Sequence, residues 1–276
     1  MKKSVLAIAA ATVAATCAFG MTACSNEDTI YVDTNAYFAP FEYYDANLNI
    51  VGVDVDIMNM VGKKLGKKVK FENTDFDVIV DNVSSGKKYD CGAAGITVTE
   101  ERAAKVDFSK PYFNSVQYAI FPASETVTTY MDGNVEYVLW SALSGKNIGV
   151  QRDTTGDIYV NDEIDGGQLK DTDATCSAYD NAQLAVDGIN AKQVDAVVVD
   201  KLPAEYIVGK NSSAYNCYAL YYPADEEHDA NYPTEEQYAI AVHKGNTELL
   251  NAINAVLDEL GEEGINILVS YHFIMG

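Results

Sequence analysis

Short apolar strands and amphipathic helices alternate along the chain from residue 29 onward. Residues 29–33 and 69–72 are typical of strands, and residues 54–66 between them carry apolar side chains at every fourth position before a closing glycine. The middle of the chain repeats this order, and residues 195–200 form an apolar run bounded by two carboxylates. This alternation predicts an α/β fold in which parallel strands are joined by crossover helices.

Two α/β units of similar size fit between residues 29 and 276, with no low-complexity linker between them. The apolar fraction of 48% in 276 residues is enough for one large or two modest cores. The formal charge is −22, from 19 basic and 41 acidic residues. Such a chain is a poor partner for nucleic acid, whose phosphates are neutralised by Lys and Arg, and for anionic lipid surfaces. We therefore expect an acidic globular protein that binds no nucleic acid.

The N-terminal segment has the pattern of an export signal. Two lysines precede an apolar run over residues 5–20, which is short for a membrane span and typical of a secretory signal. The alternative is a buried N-terminal helix. The small residues before Cys24 resemble a lipoprotein cleavage box, which implies cleavage after Ala23 and a diacylglyceryl group on Cys24. This predicts a signal peptide (1–23), a tether (24–28) and an extracytoplasmic protein anchored to the cell membrane by its lipid.

Three cysteines remain after cleavage and lipidation, namely Cys91, Cys176 and Cys217. An odd number permits at most one internal disulfide. A bond between Cys176 and Cys217 is possible outside the membrane, and the sequence leaves it open. Three scattered histidines and the lack of a Cys-x-x-Cys motif argue against zinc chemistry. We expect no metal and no cofactor.

Two charged residues and two aromatic residues are candidates for ligand binding. Arg102 follows the capping-box pattern of residues 97–100, and a guanidinium near a helix start can form a bidentate pair with a carboxylate. Its alternative role is a surface pair with a neighbouring acidic residue. Asp200 ends an apolar strand, where open α/β sheets place ligand residues, or it caps the next helix. Phe38 and Phe76 lie in polar loops, so each can stack on a ligand or belong to the core.

The order of several short motifs is more specific than any one of these residues. The motifs are TNAYFAPFE at 34–42, VGVDVD at 51–56, DFD at 75–77, AGITVTEER at 94–102, VDFSKPY at 106–112, VDAVVVD at 194–200, and the closing GIN at 264–266 with YHF at 271–273. In this order they resemble the polar amino-acid family of solute-binding proteins. Members of that family are the substrate-capturing subunits of ABC amino-acid importers. The resemblance covers essentially all of residues 29–276.

The resemblance implies a two-lobed periplasmic-binding-protein fold of type II, with a ligand cleft between lobes joined by two hinge strands. Lobe 1 would comprise residues 29–113 and 238–276, and lobe 2 would comprise residues 114–237. The chain would be a monomer that captures a free L-amino acid and docks on an ABC permease with its ATPase. It would not be an enzyme.

The binding roles of the family transfer to matching positions of this chain. The resemblance implies that Arg102 holds the ligand α-carboxylate and that Asp200 pairs with the α-ammonium. Phe38 and Phe76 would enclose the aliphatic part of the ligand side chain. The other implied ligand-binding residues are Asn35, Ala94, Gly95, Thr97, Gln151, Thr154 and Thr155.

Some positions depart from the common family pattern. Asn35 stands where an acidic residue is frequent, Gly95 replaces a serine, and Asp153 replaces a glycine. Asn35 and Gln151 would contact the head group of the ligand side chain. The Ala-Gly-Ile-Thr form of the loop before Arg102 favours the glutamine-type branch, so we expect a neutral polar amino acid.

Two other functions stay open at this point. Some relatives with this fold dehydrate cyclic amino-acid precursors, which requires a general acid aimed at a leaving group. The sequence assigns no spare acid to that role. The protein could also be a ligand-sensing module that reports to a separate receptor. Loss of water from a precursor, or amino-acid uptake in a deletion strain, would distinguish these functions from import.

Overall fold

A computed structural model describes residues 29–275, so the predicted signal peptide, tether and lipidation site lie outside the described residues. Strands and helices alternate through this range. The strands are β1 (Thr29–Thr34), β2 (Tyr37–Phe38), β3 (Glu42–Tyr44), β4 (Ile50–Val51), β5 (Lys68–Asn73), β6 (Cys91–Gly92), β7 (Asp107–Phe108), β8 (Phe113–Pro122), β9 (Tyr130–Asp132), β10 (Val135–Leu139), β11 (Asn147–Gln151), β12 (Thr175–Tyr179), β13 (Ala196–Asp200), β14 (Tyr215–Tyr222), β15 (Tyr232–Pro233), β16 (Glu235–Tyr238) and β17 (Ala241–Val242). The helices are α1 (Val53–Leu65), α2 (Phe76–Ser85), α3 (Glu100–Lys105), α4 (Thr155–Asp165), α5 (Ala182–Asn190), α6 (Lys201–Lys210) and α7 (Thr247–Met275).

Five strands form the first sheet, in the order β5–β1–β6–β17–β7. β5 and β6 run parallel to β1 on its two sides, and β17 pairs antiparallel with both β6 and β7. α1 and α7 pack together on this side of the molecule, where Val32, Ile57 and Val61 are fully buried. The predicted helix over residues 54–66 is confirmed as α1, which ends where Gly66 adopts the left-handed conformation.

Nine strands form the second sheet, with the main order β12–β11–β13–β8–β14–β10–β9. β15 pairs antiparallel with the end of β14, and β16 pairs antiparallel with the start of β8. The predicted apolar strand is confirmed as β13. It lies between β11 and β8 in the sheet, and all of its residues are buried. α4, α5 and α6 pack against these central strands. The α/β fold class predicted from the sequence is therefore confirmed, with both sheets mixed rather than purely parallel.

The chain passes between the two sheets twice, from β7 to β8 and from β16 to β17. The two connections lie side by side because β8 and β16 pair antiparallel, with Phe113 opposite Tyr238 and Ser115 opposite Glu236. The first sheet therefore takes its strands from residues 29–108 and 241–242, and the second from residues 113–238. No helix within residues 29–275 is long and apolar enough to cross a membrane.

The start of α3 differs from the prediction. The capping-box pattern predicted Thr97 as the N-cap of this helix. The N-cap is instead Thr99, whose hydroxyl accepts a hydrogen bond from the Arg102 backbone N–H. Thr97 instead forms an isolated bridge with Tyr238, which keeps the loop before the helix extended. A contact with a residue far along the chain thus outweighs the local capping signal.

The three cysteines of the described range are free. Cys176 lies in β12 and Cys217 in β14, and β11, β13 and β8 separate these strands in the sheet. Four strand spacings of about 4.8 Å place them roughly 19 Å apart, far beyond the reach of a disulfide. The pairing that the sequence left open is therefore excluded in this fold.

We predict three free thiols in a protein comprising residues 25–276, without prior reduction. Burial raises the pKa of both Cys176 and Cys217 to about 12, so few thiolates form at pH 8 and the native protein should react slowly. Titration with a thiol reagent in denaturant should then count all three at once. A count of one would mean that a disulfide forms despite the strand order.

Candidate functional site

A cavity lies between the first and second sheets. Its walls come from both sides. On one side they are β2, β3, the loops after β1 and β6, α2 and α3, and on the other side they are β11, α4 and β13. Ten of the eleven residues predicted from the sequence line it, and Glu42 is added to them. The lining residues are Asn35, Phe38, Glu42, Phe76, Gly95, Thr97, Arg102, Gln151, Thr154, Thr155 and Asp200. Ala94, the remaining predicted residue, is buried beside the cavity in the core around α2.

Arg102 provides the positive charge of the cavity. Its side chain is 7% exposed and takes part in no ion pair within the described range, so the predicted surface pair is excluded. The guanidinium donates one hydrogen bond to the Thr97 carbonyl (2.9 Å) and one to the Asp153 carbonyl (2.6 Å). Burial lowers its pKa, and the acidic groups nearby oppose that shift. A guanidinium has five N–H donors, so it can also bind a carboxylate bidentately.

Hydroxyl groups and a helix start stand next to this guanidinium. Thr97 Oγ1 and Thr155 Oγ1 are 3.4 Å apart, and they belong to opposite sides of the cavity. Thr154 is the N-cap of α4, and its hydroxyl accepts a hydrogen bond from the Asp157 backbone N–H. The N-terminus of a helix carries partial positive charge, so this corner of the cavity suits an anionic group.

Asp200 and Glu236 form a buried pair of carboxyl groups. Asp200 precedes α6 without capping it through its side chain, which excludes the capping role, and its side chain lines the cavity. Gln117 donates its amide to both carboxyl groups, and Thr97 and Thr155 donate their hydroxyls to Glu236. Burial, and then the charge of Glu236, raise the pKa of Asp200 well above its ordinary value. Two adjacent buried carboxyl groups hold either a proton or a cation between them.

Glu42 is a lining residue that the sequence analysis did not assign. It is fully buried on β3 beside the Asp54 carboxyl group, with which it forms a hydrogen bond when one of the two is protonated, and no N–H or hydroxyl group of the described range donates to it. Its neighbour Asp54 is better satisfied, since it accepts hydrogen bonds from the Tyr112 hydroxyl (2.5 Å) and the Gly95 backbone N–H (3.0 Å). Burial, and then the charge of Asp54, raise the pKa of Glu42 well above its ordinary value. Burial raises that of Asp54 to about 6.

The end of the cavity near Asn35 carries two amides. Gln151 Nε2 donates to Asn35 Oδ1 across the cleft (3.1 Å), and Asn35 Nδ2 donates to the Thr74 carbonyl (2.7 Å). Gln151 Oε1 is buried and accepts no hydrogen bond from the described residues. The two unsatisfied acceptors of the lining are therefore Glu42 and Gln151.

Phe38 and Phe76 line the cavity, and both are also packed in hydrophobic clusters of the core. The Arg102 guanidinium lies 5.3 Å from the centre of the Phe76 ring, which is a cation–π contact. A Cβ on Gly95 would lie 2.9 Å from the Phe38 ring, and Gly95 has φ +55°. The glycine that replaces the family's serine therefore fits both the backbone and this ring.

Glu236 and Glu42 were both missed, for different reasons. Glu236 lies among many acidic residues before the second crossing, and only its hydrogen bonds to Thr97 and Thr155 distinguish it. Glu42 belongs to the segment 34–42 that carried the family resemblance, and its position next to β2 was the available signal.

Comparison with known proteins gives a consistent result. The profile of the bacterial extracellular solute-binding proteins, family 3, matches residues 30–266. A protein of Neisseria gonorrhoeae described as a probable histidine-binding protein is 29% identical over 243 residues, which are 87% of this chain and 81% of that protein.

Two solved structures are similar as well. An ancestral arginine-binding protein bound to arginine is 32% identical with a TM-score of 0.74, covering 89% of this chain and 98% of that one. An ancestral amino acid-binding protein described as a precursor of cyclohexadienyl dehydratase is 26% identical with a TM-score of 0.71, covering 90% of this chain and 96% of that one.

We predict that the Asp54 carboxyl group makes the protein less stable as the pH rises from about 4 to about 6. The pKa of Asp54 is raised from 3.8 to about 6 in the folded protein, so the folded state keeps a proton that the unfolded chain releases in this window. Two pKa units correspond to about 3 kcal/mol of unfolding free energy. In urea unfolding measured at pH 4, 5, 6 and 7, the decline of Asp54→Asn should be smaller than that of the wild type by about 3 kcal/mol.

Asp229→Asn is the matched control, because Asp229 is exposed and should leave the pH profile of the wild type unchanged. The same decline in Asp54→Asn as in the wild type would contradict the assignment to Asp54.

Proposed function

Because the chain belongs to the bacterial extracellular solute-binding proteins of family 3, we propose that it binds one free L-amino acid in the cavity between its two sheets and delivers it to an ABC importer. The observation that carries this proposal is that one buried guanidinium, Arg102, and the buried carboxyl group of Asp200, which adjoins that of Glu236, line the same cavity. A zwitterion presents the complementary charges.

The α-carboxylate of the ligand would bind Arg102 and the hydroxyl groups beside it. Arg102 has N–H donors besides those bonded to carbonyls, and Thr97 and Thr155 stand next to it on opposite sides of the cleft. The α-ammonium would bind beside Asp200, whose carboxyl group adjoins that of Glu236. Charge-assisted hydrogen bonds contribute about 1.5–3 kcal/mol each, so both ends of the zwitterion add to the affinity.

Lobe closure would couple ligand binding to transport. We propose lobe 1 over residues 29–113 and 238–276 and lobe 2 over residues 114–237, which agrees with the membership of the two sheets. The paired strands β8 and β16 would act as the hinge. Hydrogen bonds already cross the cleft from Arg102 to the Asp153 carbonyl and from Gln151 to Asn35, as a closed form requires. Residues 1–28 would export and anchor the protein through Cys24.

We propose a cationic side chain for the ligand. The unsatisfied groups of the lining, the Glu42 carboxylate and Gln151 Oε1, are acceptors. A guanidinium or ammonium side chain offers only hydrogen-bond donors. An amide side chain also carries a carbonyl oxygen, which is an acceptor and cannot bond to these acceptor groups. The described relatives named for histidine and arginine are in keeping with this class.

The neutral amide side chain expected from the sequence is the second candidate ligand. The observation that favours it is the amide pair of Asn35 and Gln151 across the cleft, because a glutamine side chain could join that pair through one donor and one acceptor. The affinities for arginine and glutamine decide between the two.

A dehydratase activity is the second candidate function. Glu42 is a spare acid in the cavity, which the sequence analysis did not find, and burial raises its pKa well above its ordinary value. The similarity to the precursor of cyclohexadienyl dehydratase is the reason to test it. Release of water from a cyclic amino-acid precursor, lost in Glu42→Gln, would support catalysis, and an unchanged precursor would exclude it.

We predict that Arg102→Ala weakens amino-acid binding by at least about 100-fold. Two charge-assisted hydrogen bonds to the α-carboxylate are lost, and each contributes about 1.5–3 kcal/mol. The protein should first be unfolded and refolded to remove any bound amino acid. A thermal-shift screen against the twenty amino acids, ornithine and cystine then identifies ligands, and calorimetry gives the dissociation constants.

Arg152→Ala is the matched control for this experiment. Arg152 is half exposed and pairs with Asp77 (3.7 Å) and Asp180 (3.4 Å) at the rim, where ion pairs contribute less than about 1 kcal/mol. Its removal should change the dissociation constant by less than about fivefold. If Arg102→Ala bound as tightly as Arg152→Ala, the carboxylate site would be wrong.

We predict that Glu42→Gln reduces the affinity for arginine relative to the affinity for glutamine. The variant keeps the shape of the side chain and removes its negative charge, so arginine should lose about tenfold or more in affinity. Glutamine should change by less than about threefold, because it does not rely on that charge. Calorimetry with both ligands gives the ratio, and equal losses for arginine and glutamine would refute the cationic assignment.

A further inference from the structure

We propose that three aromatic side chains outside the cavity determine how tightly the protein holds any ligand, because they stabilise the closed form. We call Tyr43, Tyr206 and Phe273 the aromatic clasp. The proposal rests on the proposed function, since it concerns the affinity for the amino acid, but it concerns residues that do not line the cavity.

The aromatic clasp joins the two halves of the molecule. Tyr206 lies on α6, which packs against β8, β13 and β14 of the second sheet. Tyr43 lies on β3, and Phe273 lies on α7, which packs against α1 on the side of the first sheet. The ring centres of Tyr206 and Tyr43 are 6.3 Å apart, and those of Tyr206 and Phe273 are 6.2 Å apart at an interplanar angle of 76°. Both distances are typical of favourable aromatic pairs.

Each side of the clasp is continuous with a residue of the cavity. α6 begins directly after Asp200, and Tyr206 follows six residues later, which is roughly 9 Å along a helix axis. Tyr43 directly follows Glu42 on β3. A hinge motion that moves Asp200 away from Arg102 therefore also separates Tyr206 from Tyr43 and Phe273. The clasp is made only when the cavity is closed.

A hydrogen-bond relay holds Tyr43 in place. The Tyr43 hydroxyl is 3.2 Å from His272 Nδ1, and His272 Nε2 is 2.8 Å from Asp56 Oδ2. His272 is buried, and its ring also meets the Tyr43 ring edge to face at 6.0 Å. Because His272 precedes Phe273 on α7, the relay fixes both partners of Tyr206. His272 and Asp56 are therefore positioning residues of the clasp.

The effect on affinity should be the same for every ligand. A ligand that binds the closed form has an apparent dissociation constant that rises as the closed fraction of the free protein falls. Replacing Tyr206 with alanine removes two aromatic pairs that stabilise the closed form and so lowers the closed fraction of the free protein. The aromatic pairs contribute enough to predict a loss of about tenfold in affinity. The ratio between two ligands should not change, since neither touches the clasp.

The test compares Tyr206→Ala with wild type in the mature protein, using calorimetry with the two tightest amino acids found in the ligand screen. We expect both dissociation constants to rise by about tenfold and their ratio to stay within twofold. Tyr130→Ala is the matched control, because Tyr130 stacks on Tyr137 at the far edge of the second sheet. It should leave both constants unchanged.

A second set of variants keeps the test independent of folding defects. Phe273→Ala should also weaken both ligands, and adding Tyr206→Ala to it should cost less than the product of the two single effects, because they share one contact. His272→Gln should weaken binding in the wild type and have no further effect once Tyr206 is alanine. A merely structural role for His272 would weaken binding equally in both backgrounds.

The outcomes separate this inference from the proposed function. If the wild type binds no amino acid, the proposed function fails, whatever the clasp does. If the wild type binds and Tyr206→Ala binds equally tightly, the clasp proposal is wrong and the function stands. A changed ratio between the two ligands would also overturn it, since Tyr206 would then act on the ligand directly.

Discussion

One buried guanidinium faces several buried carboxyl groups, and most of the cleft is organised around this imbalance. Removing an isolated charge from water costs several kcal/mol, so each buried carboxyl group needs donors, a shared proton or a cation. Asp54 accepts hydrogen bonds from Tyr112 and Gly95. Gln117 donates to both Asp200 and Glu236, and Glu236 also accepts from Thr97 and Thr155. Glu42 alone among these acids accepts no hydrogen bond from an N–H or hydroxyl group of the described residues. The electrostatics of the cavity therefore favour a ligand that brings positive charge and donors.

The charged groups of the cleft are hydrogen-bonded to residues on both of its sides, so their interactions depend on lobe closure. The donors that satisfy Glu236 come from both sides of the cleft, since Thr97 belongs to the loop before α3 and Thr155 begins α4. Arg102 reaches across to the Asp153 carbonyl. A ligand with complementary charges at this position interacts with both sides at once. Such a ligand has differential affinity for the closed form, which is the requirement for it to shift the equilibrium.

The alternation of strands and helices was readable from local sequence. α1 and β13 were predicted because an apolar repeat of 3.6 residues and an uninterrupted apolar run are properties of a single segment. The start of α3 was not, because the bridge between Thr97 and Tyr238 joins residues far apart in the chain. The sequence could not decide on the disulfide for the same reason, because the distance between Cys176 and Cys217 depends on the order of strands in the sheet.

Residue types and motif order determined the fold class and most of the cavity lining, including Arg102, Asp200 and both phenylalanines. They did so because strand ends, helix starts and glycine turns each leave a local pattern. The tertiary structure alone decided the roles of those residues: Arg102 is buried and without an ion pair in the described range, and the Asp200 side chain faces the cavity instead of capping α6. It alone brought in Glu236, whose partner Thr97 is 139 residues away, and the unsatisfied Glu42. Burial and hydrogen bonding depend on neighbours in space, and no local pattern in the sequence encodes those neighbours.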